Sequence, residues 1–67
     1  MGDWKDYIIF CFGEQLDVKE TARSKKEAVK LYVEVCIERY KEDFGSKPTD
    51  DMIEDVYKNT EAVDLPD

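Results

Sequence analysis

At 67 residues the chain has the length of one domain, a size at which only about 60% of the unfolded surface can be buried. Its 17 acids against 10 bases give a formal charge of −7, which opposes binding to nucleic-acid phosphate and to anionic membranes. It has no histidine, the commonest general base and metal ligand, and its 42% hydrophobic and 12% aromatic content is that of a globular chain.

In chain order, a short polar lead carries Trp4, which reads as a lid on the core or, alternatively, as an anchor for a partner. Tyr7 to Phe12 is continuous, aromatic and branched, and reads as a strand. Gly13-Glu14 suits a type II′ hairpin turn, and Gln15 to Ala22 alternates as a half-buried strand. A two-residue turn there sets Cys11 opposite Leu16 and Ile9 opposite Val18, turning Tyr7, Ile9 and Cys11 inward. A three-residue turn exchanges the faces. In the two-residue register Ile8, Phe10 and Phe12 form an apolar row beside polar Gln15, Asp17 and Lys19. Such a row needs a cover or marks an interaction site.

Ser24 and Glu27 have the spacing of a capping box, and Gly45 followed by Pro48 stops what they start. The helix between them is about 30 Å long. One apolar stripe holds Val29, Val33, Cys36, Ile37, Tyr40 and Phe44, and is expected to face the sheet. A second holds Ala28, Leu31, Tyr32 and Val35. Thr49 caps a shorter helix with Asp50 and Asp51 in its first turn, where the dipole favours acids. Met52, Ile53, Val56 and Tyr57 line one side of it, and Asn59 closes it. Val63 and Leu65 alternate with polar neighbours up to Pro66, which suits either a third edge strand or a tail.

The expected fold is therefore a single α+β domain over 1–67: a hairpin over 6–22, a long helix over 25–44, a short acidic helix over 50–59 and a tail over 60–67. The element order is ββααβ or ββαα. Two cysteines in apolar stretches read as buried reduced thiols, which points to the cytoplasm. The longest apolar run is too short for a signal peptide or a membrane span.

Chemistry finds little to use. Gly2, Gly13 and Gly45 are isolated, so no phosphate-cradling loop forms, and Ser24 and Ser46 serve a cap and a turn. Asp50, Asp51, Glu54 and Asp55 lack the central glycine of a calcium loop and read as a solvated acidic face. No catalytic residue, cofactor or metal ligand is expected, and the chain is not expected to be an enzyme.

Charge is uneven. Residues 46–67 hold seven acids and two bases, whereas residues 1–45 hold ten and eight. Asp50, Asp51, Glu54, Asp55, Glu61 and Asp64 are thus candidates to meet a basic surface of a larger protein, with Ile8, Phe10 and Phe12 as the apolar candidates. In size and charge the chain resembles small acidic phage-encoded inhibitors, anti-CRISPR proteins among them; the resemblance involves no shared motif and implies no residue roles. It implies an inhibitor or adaptor that covers a nucleic-acid-binding surface in the manner of a DNA mimic, within a host cytoplasm. The other reading is a small structural homodimer.

Overall fold

The computed structural model of the chain describes residues 3–65. Five elements follow one another: β1 (Lys5–Cys11), β2 (Glu14–Ala22), α1 (Lys25–Phe44), α2 (Asp50–Lys58) and β3 (Thr60–Asp64). The strands form one antiparallel sheet in the order β2-β1-β3, so the chain is ββααβ. The most continuously apolar strand takes the centre, where both its edges are paired.

The hairpin turns one residue earlier than the sequence suggests. Phe12 (φ 52) and Gly13 (φ 79) both have positive φ, as a type I′ turn requires, and Cys11 pairs with Glu14. Glycine suits the second position of this turn as well as the first position of a type II′ turn, so composition alone does not place it. The early turn is offset by a bulge: Phe10 pairs with Gln15 but Ile8 pairs with Lys19. Leu16, Asp17 and Val18 together oppose Ile9, and an excess of two residues leaves the faces unexchanged.

Tyr7, Ile9 and Cys11 therefore face the helices, with Leu16, Val18 and Ala22 from β2 and Thr60 and Ala62 from β3. Ile9 is fully buried, and Ala22, Ala28 and Ala62 around it are small enough for α1 to lie close on the sheet.

Both helices begin as their caps dictate. Ser24 Oγ accepts the Glu27 amide at 3.1 Å, and Thr49 Oγ1 accepts the Met52 amide at 3.3 Å. Gly45 (φ 75) ends α1 in the left-handed region, its N–H donating to the Lys41 carbonyl at 2.8 Å. Asn59 ends α2 by donating its side-chain amide to the Asp55 carbonyl at 2.8 Å.

The two stripes of α1 exchange the roles expected of them. Ala28, Leu31 and Tyr32, with Val29, pack on the sheet core. Val33, Cys36, Ile37 and Tyr40 instead meet Met52, Ile53 and Val56 of α2, around a cavity of about 110 Å³. Successive helical residues are about 100° apart, so Tyr32 on the sheet and Val33 against α2 place α2 beside α1. Trp4 is not a lid: it is 57% exposed and its ring lies 4.9 Å from the Arg23 guanidinium. The expectation for Pro66 falls outside the described residues.

Candidate protein-binding surface

The face of the sheet turned away from α1 carries the site. Alternation along β1 sends Asp6, Ile8 and Phe10 outward together. On the β3 side Ile8 lies opposite Val63 and Phe10 opposite Glu61, and the Leu65 N–H donates to the Asp6 carbonyl at 3.2 Å. That last bond carries the ladder one step past β3 and brings Leu65 onto the same face. On the β2 side the Thr21 hydroxyl donates to Asp6 Oδ1 at 2.7 Å, and Lys19 Nζ lies 3.8 Å from Asp6 Oδ2.

The result is an apolar row down the middle of an open sheet. Ile8 and Phe10 are half-buried by their neighbours, Val63 is 40% exposed and Leu65 is 36% exposed. Beside Ile8 a shallow depression of about 230 Å³ lies between the bulged segment 15–19 of β2 and Leu65. Asp17, exposed between the inward Leu16 and Val18, and Glu61 border the row from its two sides. Phe12 sits at the hairpin tip beyond Phe10, 58% exposed.

The acidic candidates do not come together as one surface. Asp50, Asp51, Glu54 and Asp55 stay on α2, in the helical layer. Glu61 and Asp64 lie on opposite faces of the sheet, because Glu61 pairs with the outward Phe10 and Asp64 with the inward Tyr7. Among the described residues the ion pairs are Lys19–Asp6 and Lys41–Glu38, so none of these six acids is neutralised by a side-chain cation. Asp50 and Asp51 lie in the first turn of α2, where the dipole favours acids, and Asp55 accepts from the Asn59 side chain at 3.3 Å. No three acid or thiol side chains among the described residues converge as a cation site.

Sequence reasoning sets Asp17 beside Ile8 and Phe10 in the two-residue register but misses Val63 and Leu65 as members of the open face. Their signal is the alternation of residues 61–65, which assigns a face only once β3 is known to pair with β1.

The inner layer is chemically quiet. Burial first, and then the neighbouring Cys36 thiol, push the Tyr32 phenol up to about 12. Cys11 and Cys36 are unbridged and half-buried, and the Thr60 hydroxyl between β1 and α2 donates to the Val56 carbonyl at 2.6 Å. No helix among the described residues is long and apolar enough to cross a membrane.

Comparison of the chain with protein-family models, with curated proteins and with solved structures gives no match. The fold and the open face define a small α+β domain with one side of its sheet uncovered.

Proposed function

We propose that the chain is a small protein-binding module, an inhibitor or adaptor that docks on a larger protein presenting a basic surface. The observation that carries this reading is the uncovered row of Ile8, Phe10, Val63 and Leu65 on a sheet whose other face packs against α1. An apolar row on a central strand in a domain this small is a contact surface more readily than a contribution to stability. The acids beside it, Asp17 and Glu61, select against phosphate and for a partner rich in lysine or arginine. The same acids oppose the homodimer, since two copies meeting face to face bring like charges together.

Affinity capture with the intact chain and with Phe10→Lys tests the reading. A protein retained by the natural chain and lost by Phe10→Lys supports docking through the sheet. If Phe10→Lys retains that protein and Glu54→Lys with Asp55→Lys loses it, the contact belongs to α2 and the sheet face is not the docking surface.

A further inference from the structure

The open face has the dimensions and the charge pattern of a seat for a helix. Three strands about 4.8 Å apart make a surface roughly 10 Å wide, close to the diameter of one α-helix. Ile8 and Phe10 are two strand residues apart, roughly 6.5 Å, near the spacing of successive positions on one helical stripe, about 5–6 Å. Val63 and Leu65 broaden the row on the β3 side, and the depression beside Ile8 gives it relief. Pairing of a partner strand along the β2 or β3 edge would leave Ile8 and Phe10 uncovered.

Charge narrows the occupant further. Asp17 on the β2 side and Glu61 on the β3 side flank the row, while Lys19 is held 3.8 Å from Asp6. A helix with one apolar stripe and lysine or arginine along both flanks meets this arrangement on every side. A second copy of the chain offers no such helix. The apolar side of α2 is already against α1, and the polar strip of α1 mixes Glu27, Glu34 and Glu38 with Lys30 and Lys41.

We infer that the outer sheet face receives a basic amphipathic helix of the partner protein, with Phe10 and Ile8 against its apolar stripe and Asp17 and Glu61 against its cations. This rests on the docking reading above and adds the chemical class of what docks.

The test uses two synthetic peptides, each about four helical turns long, with the same leucine stripe. One is flanked by lysines and the other by glutamates. Each is titrated into the isotope-labelled full chain and followed by amide chemical shifts. The lysine peptide is expected to cause saturable shifts at Ile8, Phe10, Glu61 and Val63, and to become helical on binding. Phe10→Lys is expected to weaken it about tenfold or more. Glu61→Lys, an exposed change that leaves the core intact, is expected to weaken it by a smaller factor, through faster dissociation.

Shifts confined to Asp50–Asp55, equal binding of the two peptides, or no binding at all would each overturn the helix proposal. Its failure is separable from that of the docking reading. If the peptide leaves the face unmoved while Phe10→Lys still abolishes capture of the partner, only the helical occupant is wrong. If Phe10→Lys captures the partner normally, both ideas fall.

Discussion

The Phe12 N–H donates to the Asn59 carbonyl oxygen at 2.7 Å, joining the hairpin tip to the residue that closes α2. The bond extends the β1–β3 ladder past Cys11 and Thr60, and it holds Phe12 in the left-handed region at φ 52. That conformation is awkward for a bulky side chain and natural for Asn or Gly. The phenyl ring gains little burial in return, being 58% exposed.

Phe12→Asn should therefore stabilise the domain by about 1 kcal/mol, raising the melting temperature by roughly 4–8 °C. If the ring is a partner contact, the same substitution weakens binding while the fold becomes more stable. A lower melting temperature would show that the phenyl ring supports the hairpin.

The packing of α1 gives a second test. Val33 is fully buried between α1 and α2, whereas Phe44, on the same stripe, is 69% exposed and touches mainly the Tyr40 ring at a centroid distance of 4.5 Å. Val33→Ala should cost about 2 kcal/mol and Phe44→Ala clearly less. Ile9→Ala, at the centre of the sheet core, should cost about 3–4 kcal/mol and come close to unfolding so small a domain. Urea midpoints for the three variants would settle the order, and equal losses at Val33 and Phe44 would contradict it.

The ends of both helices were legible because capping chemistry is local: Ser24, Gly45, Thr49 and Asn59 each do what their side chain or φ dictates. Which face of β1 turns inward was not legible, because Tyr7 to Phe12 is apolar on both faces and the choice hung on a two- or three-residue turn. The pairing with β2 and β3 turns Tyr7, Ile9 and Cys11 inward. Which stripe of α1 meets the sheet was not legible either, because two adjacent apolar stripes about 100° apart differ only by a rotation that tertiary packing decides. The spread of the acids over two layers was not legible for a similar reason. Glu61 and Asp64 are neighbours in sequence, yet three residues along a strand is an odd number and puts them on opposite faces.

Alkaline pH should unfold the domain partly through Tyr32. Its phenol ionises near 10 in the unfolded chain and only at about 12 when folded, so between these values the unfolded chain has lost a proton that the folded one keeps. The unfolded state then binds fewer protons, and stability falls as pH rises. The contribution is fully present below about pH 10 and is lost as pH passes through about 12. Tyr32→Phe should flatten this decline, seen as a smaller change in the urea midpoint between about pH 9 and 11. An unchanged slope would remove Tyr32 from the account.

The acids of α2 and the acid beside Phe10 should behave differently once a partner is in hand. Glu54 accepts no hydrogen bond and pairs with no cation among the described residues, and it lies one helical turn from Asp50 and beside Asp51 and Asp55. Glu54→Lys should leave stability within about 0.5 kcal/mol of the natural chain, with any change favourable through reduced like-charge repulsion. Asp55→Lys should cost more, because the Asn59 side chain loses an acceptor at the end of α2. In binding, Glu54→Lys should act at long range, slowing association at low salt and changing little at high salt. Glu61→Lys stands beside Phe10 within the docking face and should instead quicken dissociation, an effect that persists when salt screens the solvent-exposed charges. Association and dissociation rates measured at two salt concentrations separate the two. If Glu54→Lys governs dissociation and Glu61→Lys only association, the contact lies on α2, and the sheet face is the rim.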